Sequence, residues 1–153
     1  MNILLQIGYR LRRLIIAGLR LRTRGVKVMG FNAAGHLLLV RNSYGDTSAF
    51  VLPGGGIGRR ESPEAAAARE VREETGLEVA DLRFVAAYGS RHEGKKDSIH
   101  LFRALADGKP HADSLEVEEA AFFPLDALPE GVSAATLRRL AELRGEGAAG
   151  GTW

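Results

Sequence analysis

Residues 55–77 read GGIGRRESPEAAAAREVREETGL. Glycines, a Ser-Pro pair, four alanines and an acid-rich run ending at Gly76 spell out a loop, a helix start, a helix body and a helix stop. Ser62 suits an N-cap and Pro63 the first helical position. Gly76 suits a left-handed C-terminal cap, so a helix is predicted over 63–75. On a helix of 3.6 residues per turn, Glu70, Glu73 and Glu74 stand three and four apart and project from one face. Ala66 and Ala67 share roughly that face and leave space above it, while Ala68, Val71 and Thr75 point elsewhere and can pack on a sheet. Arg69, four before Glu73, is placed to hold its carboxylate. Like charges at this spacing mildly destabilise an isolated helix, and partial burial adds a desolvation cost. A divalent cation reverses that sign, and three hard oxygen ligands with room for water suit Mg²⁺ or Mn²⁺. Taken alone, the three glutamates also fit a solvated acidic helix face.

On either side the chain reads as short strands punctuated by turns. VKVMGFN (26–32) and HLLLVRN (36–42) are β-rich and joined by AAG as a hairpin. FVLPGG (50–55) reads as a strand running into a glycine loop. After the helix, VADLRFVAAYG (79–89) and SIHLFRALA (98–106) form two strands, with SRHEGKKD between them as a polar loop. DGKPHADS (107–114) is a second loop, leading to VEEAAFFPLDALP. A last helix is expected over 133–144, with Leu137, Leu140 and Leu143 as its apolar contacts, and residues 145–153 as a flexible tail. The order β-β-β-α-β-β-β-α predicts an α+β fold, a mixed sheet sandwiched between helices, over residues 25–144.

The 153 residues suffice for one domain with a real core, and the 45% hydrophobic and 26% charged composition is that of an ordinary globular chain. The absence of cysteine excludes disulfides, thiol catalysis and thiolate metal sites, and it fits a reducing cytoplasm, the expected location. No apolar run is long enough to span a bilayer. The net charge of +2 is unevenly distributed: residues 1–25 carry six arginines and no acid, and the remainder carries 15 basic against 19 acidic residues. The high pI therefore gives no ground for a nucleic-acid-binding body. Residues 1–24 have helical periodicity, with Leu4, Ile7, Leu11, Leu14 and Leu21 on one stripe and arginines on the flanks. A basic amphipathic helix packed on its own domain, or on a second copy in a homodimer, is the favoured reading, with attachment to an anionic membrane surface as the alternative.

Gly55, Glu61, Arg69, Glu70, Val71, Glu73, Glu74, Gly76 and Leu77 fall in register with the pattern G-x5-E-x7-R-E-U-x-E-E-x-G-U, where U is aliphatic. That pattern is the Nudix box, and the segment resembles it at every fixed position. The strand pattern on both sides resembles the Nudix fold as well, whereas the N-terminal helix lies outside the resemblance.

The resemblance implies a divalent-metal-dependent pyrophosphohydrolase that cleaves a nucleoside diphosphate linked to another moiety, with a small nucleotide as partner. It also implies roles. Glu70, Glu73 and Glu74 would be metal ligands together with the Gly54 carbonyl. Glu73 is the favoured base, and Arg69 and Glu61 would brace the site. Glu116 is the preferred outside ligand over Glu119. Gly55 and Gly56 allow close approach of the backbone to metal or phosphate, although a tight strand-to-helix turn would need glycines too. Tyr44 and Phe50 are candidates for stacking on a base, with core packing favoured for Phe50. Arg91, with His92, Lys95 and Lys96, is a candidate phosphate contact on a loop that otherwise reads as solvated. His100 alternates with Ile99 and Leu101, which turns it toward the opposite side of its strand. No secondary signature that narrows substrates in this family is present. A nucleotide-sensing module without hydrolysis is the alternative function, but no catalytic position of the box is substituted.

Overall fold

The computed structural model describes Ile7 and residues 24–92, 95–147 and 150–153. Side chains of 91–96 fall outside that description, as does the basic N-terminal helix expected over 1–24, apart from Ile7 and Arg24. Among residues 24–153 as described, six strands and two helices follow in order: β1 (Arg24–Phe31), β2 (Leu37–Asn42), β3 (Phe50–Val51), α1 (Pro63–Thr75), β4 (Val79–His92), β5 (Lys95–Ala106), β6 (Val117–Phe123) and α2 (Ala134–Leu143). The strands form one mixed sheet in the order β3-β2-β1-β5-β4, with β6 on β2. β1 runs parallel to β5 from Arg24↔Ser98 to Phe31↔Leu105, and the other pairings are antiparallel. This is the α+β architecture that the sequence predicts.

Two cores follow from the two-residue period of the strands. Leu38 of β2 and Phe102 and Ala104 of β5 pack with Val26 and Val28 against Ala66, Ala67 and Val71 of α1. Leu37, Leu39 and Leu101 pack with Met29, Phe50 and Leu52 against Leu140 of α2. Each fully buried Val, Leu or Phe side chain contributes roughly 1.5–3 kcal/mol. Ala66 and Ala67 are wholly buried instead of leaving room above the acidic face, and their small size lets α1 lie close on the sheet.

Three further expectations change. Residues 90–92 and 95–97 are strand where a loop was expected: the β4–β5 ladder continues through Ser90↔Asp97, Arg91↔Lys96 and His92↔Lys95. Of the three leucines expected to pack from α2, only Leu140 is buried; Leu137 and Leu143 are 47% and 37% exposed, and Thr136 and Arg139 are buried in their place. Residues 150–153 run along β4 instead of hanging free. Gly89 donates to the Gly151 carbonyl and Trp153 donates to the Gly89 carbonyl, and the Trp153 ring meets Tyr88 edge-on.

What positions the site is the segment leaving β3. Val28 donates to the Pro53 carbonyl, Val26 to the Gly55 carbonyl, and Ile57 to the Arg24 carbonyl, each at 2.9 Å. Residues 53–57 are thus strapped along the first half of β1 before the chain turns into α1.

Candidate active site

α1 begins and ends as its sequence directs. Ser62 caps it by accepting from the Ala65 N–H, and Gly76 (φ 72) closes it by donating to the Arg72 carbonyl. The helix then delivers its acids to different depths. Glu74 is 8% exposed, the Glu70 side chain 14%, and the Glu73 side chain 52%. The shared face predicted for them is a gradient from sheet to solvent.

Arg69 organises the cluster. Its Nε and Nη2 hold the two oxygens of Glu61 at 2.7 and 2.9 Å. Nη1 reaches Glu70 at 2.8 Å and Glu73 at 3.1 Å, and Nη2 also donates to the Gly56 carbonyl at 3.0 Å. A guanidinium has five N–H donors, so all are committed. Hydrogen bonds from Arg69, then from the Gly58 N–H, hold the Glu61 carboxyl down to about 2. Glu61 first, then Glu70, raises the Arg69 pKa above its already high ordinary value against the opposing effect of burial.

The inner acids move the other way. Burial pushes Glu74 up to about 7, opposed by Lys27 and by the Gly54 N–H, which donates to Glu74 Oε2 at 3.0 Å. Burial also raises Glu70; Arg69 opposes the shift, and the charges of Glu73 and Glu116 add to it. Glu70 fits under Gly55 so tightly that a Cβ there would come within 2.6 Å of its carboxylate.

The cleft has a volume of about 460 Å³. Arg69, Glu70, Glu73 and Glu74 form one wall, Gly56 to Gly58 a second, and Ser114 and Glu116 a third. The loop after β5 carries the third wall across the end of α1, where His111 donates its N–H to the Thr75 carbonyl and Asp113 to the Glu74 carbonyl. Glu116 and Glu119 differ in their pairing. Glu119 is bound by Arg41 of β2 at 2.9 Å, whereas Glu116 lines the cleft and raises both Glu70 and Glu74.

The donor set suits a hard divalent cation, being several carboxylates together with backbone carbonyls. The carbonyls of Pro53, Gly55 and Gly56 accept from Val28, Val26 and Arg69, which leaves the Gly54 carbonyl without such a bond among the described residues. A carboxyl as enclosed as Glu74, with like charges beside it, is also one that a cation would stabilise. As they stand, Arg69 holds Glu61, Glu70 and Glu73 while the Gly54 N–H holds Glu74, and no cluster of three acidic or histidine side chains among the described residues has metal-holding geometry.

Other sequence candidates lie elsewhere. Phe50 is in the core against Phe123. Tyr44, in the segment between β2 and β3, does not line the cleft. Arg91 is on β4 opposite Lys96, and its side chain lies outside the described residues. His100 stacks at a tilt near Phe84, with its Nδ1 buried and unpaired. Two residues escaped the sequence reading. Ser114 sat in what looked like an ordinary polar loop. Lys27 had a signal, a single lysine inside the apolar strand VKVMGF.

The NUDIX domain model matches residues 21–143. Two curated relatives are a putative 8-oxo-dGTP diphosphatase of Bacillus subtilis, 35% identical over 61% of this chain, and an RNA pyrophosphohydrolase of Pseudomonas paraeruginosa, 46% identical over 36%. The matches span 61% and 33% of those relatives' own lengths. Among solved structures, the MutT NUDIX hydrolase from Burkholderia pseudomallei superposes with a TM-score of 0.71 at 23% identity, covering 80% of this chain and 98% of that one, which bears on the fold alone. No described helix is long and apolar enough to cross a membrane. With the family model spanning the sheet, both helices and every wall of the acidic cleft, the chain belongs to the NUDIX domain family.

Proposed function

We propose that the protein is a divalent-metal-dependent pyrophosphohydrolase that cleaves a phosphoanhydride in a nucleoside diphosphate linked to another moiety, by attack of water on phosphorus. The observation that carries this reading is the cleft in which Glu70, Glu73 and Glu74 of one helix face Glu116 across a glycine wall. Such a lining would repel a pyrophosphate unless cations stand between them. Glu70, Glu73, Glu74, Glu116 and the Gly54 carbonyl would hold Mg²⁺ or Mn²⁺. When bound, the cation neutralises phosphate charge and lowers the pKa of coordinated water.

The chain's own residues do the rest. Arg69 fixes the spacing of Glu70 and Glu73, and Glu61 fixes Arg69. Gly55 and Gly56 keep side chains out of the path by which phosphate oxygens approach. Glu73 is assigned as the base, because its half-exposed carboxylate stands where water can reach it. Glu70 is the second candidate, since burial raises its carboxyl pKa and so makes it a stronger proton acceptor.

The test is a screen of nucleoside diphosphate derivatives with Mg²⁺ and Mn²⁺ and identification of both products. Following the relatives' names, 8-oxo-dGTP and RNA with a 5′-triphosphate belong in the set. Metal-dependent release of two phosphorylated products from a nucleoside diphosphate derivative supports the assignment. No hydrolysis of any compound with either metal, by folded protein, refutes it.

A further inference from the structure

Lys27 stands between Val26 and Val28, which are 1% and 0% exposed. Its ammonium donates to the Leu52 carbonyl at 2.8 Å. Its backbone lies against Gly54, where a Cβ would come within 2.9 Å of the Lys27 Cα. Gly54 in turn donates its N–H to Glu74. A single layer of backbone, residues 52–54, therefore links the lysine to the innermost acid of the cleft. No ion pair joins Lys27 to Glu74 or Glu70 among the described residues, yet the charges act on one another. Burial lowers the Lys27 pKa, and Glu74 first, then Glu70, push it back up.

We propose that Lys27 is a positioning residue of the cleft: a fixed counter-cation behind residues 52–54 that offsets the enclosed charge of Glu74 and Glu70 and so holds down the site's affinity for divalent ions. The proposal rests on the acidic cleft being the metal site. A lysine suits this role because it is a compact charge that needs only one hydrogen bond to be fixed, here to Leu52. Anchoring the Leu52 carbonyl alone would need only a neutral donor. The positive charge is the surplus feature, and its sign makes the role testable. A partly buried cation near the ligands repels an incoming metal ion, so removing it tightens binding. Removing a purely structural anchor loosens the site and weakens binding.

The experiment compares the full chain with Lys27→Gln, which keeps a donor and drops the charge, Lys27→Met, which drops both, and Lys27→Arg, which keeps the charge. Each is titrated with Mn²⁺ without substrate, under argon at pH 8.5 and low salt, by calorimetry. Lys27→Gln and Lys27→Met should bind Mn²⁺ about threefold to tenfold more tightly, as expected for one unit charge removed at short range in a partly screened site. Lys27→Arg should stay within about twofold of the parent on the same Coulomb argument. Metal-free Lys27→Gln should melt lower than the parent and gain more from saturating Mn²⁺. Unchanged or weaker Mn²⁺ binding by folded Lys27→Gln overturns the proposal. Should the neutral variants fail to fold without metal, refolding in saturating Mn²⁺ supports it, and failure to refold there overturns it. If the parent protein binds no Mn²⁺ at all, the metal-site reading itself falls, which is a separate result.

Discussion

Gly55→Ala isolates the geometry of the site from the stability of the fold. Gly55 lies outside the left-handed region, so an alanine meets no backbone strain there. Its Cβ would sit 2.6 Å from the Glu70 carboxylate, where ordinary contacts begin at 3.4 Å. The carboxylate must withdraw by about 0.8 Å, the difference between those distances, and its 2.8 Å bond to Arg69 must lengthen or turn. The obstructed atoms are the far end of a flexible side chain, so the fold should absorb the change. Loss of one partly exposed ion pair costs up to about 1 kcal/mol. In a chain of this size that lowers the melting temperature by about 2–4 °C. The effect on turnover should be far larger, since a misplacement of about 1 Å can cost about 10²-fold. The assay is Mg²⁺-dependent hydrolysis of the best substrate alongside a thermal melt. Gly54→Ala is the contrasting control. Gly54 has φ 150, and a Cβ there would collide with the Val26 carbonyl oxygen, so that variant should lose stability first. Parent-level turnover by folded Gly55→Ala would refute the claim that the position of Glu70 matters to the chemistry.

Other perturbations separate the remaining acids. Glu73→Gln should lower turnover by about 10²-fold or more, as loss of a positioned base does, with little change in melting because the side chain is half exposed; parent-level rates would remove Glu73 from the mechanism. Glu116→Gln should weaken Mn²⁺ binding by about tenfold, as removal of a ligating charge implies, whereas Glu119→Gln, which only loosens the exposed pair with Arg41, should leave binding and turnover unchanged. Metal-free stability should fall between about pH 5 and pH 7. Burial raises Glu74 to about 7 from an unfolded value of 4.5, so the folded state binds the extra proton in that window and ionisation is opposed by the fold. The change is of order 3 kcal/mol at most, from about 1.4 per pKa unit, and urea midpoints across that range would measure it, with Glu74→Gln flattening the slope. A flat profile in the parent would show that Glu74 is solvated like a surface acid.

Much of this was readable from local chemistry. Ser62, Pro63 and Gly76 bound α1 because capping depends on residues three or four positions away. Arg69, Glu61 and the three helical glutamates were legible because their partners lie on the same short segment. What failed to show depended on distant strands. Glu116 and Glu119 are near neighbours in sequence, and their different surroundings show only in the fold, where Arg41, 78 residues before Glu119, binds Glu119 while Glu116 lines the cleft. The strand ends at 90–92 and 95–97 looked like a loop because their residues are polar, yet their ladder bonds need no apolar face. The inward face of α2 was misjudged because Arg139 is buried there, its guanidinium 3.9 Å from the Tyr88 ring centroid and its Nη2 bound to Glu142. Periodicity assigns such a residue to solvent. Lys27 was hidden for the same reason, since a charge in an apolar strand gains meaning only from what folds against it.

The commitment of Arg69 bears on how the cleft treats an anion. Among the described residues that line it, Arg69 is the only cation, and its five donors already serve Glu61, Glu70, Glu73 and Gly56. Offering a donor to a phosphate would mean releasing one of these. Releasing Glu70 would leave a largely enclosed carboxylate without its cation and beside the like charges of Glu73 and Glu116. Arg69 is therefore better suited to hold the acids in place than to grip a substrate, and its replacement should disturb their spacing before it disturbs anion affinity. The positive charge that a pyrophosphate needs must then come from outside the lining. Lys27 cannot supply it, because its ammonium is turned to the Leu52 carbonyl behind the wall. A cleft with its cations spent on its own carboxylates can receive a phosphoanhydride only in company with metal ions, and this charge balance, more than the count of glutamates, is the physical ground for expecting the activity to depend on them.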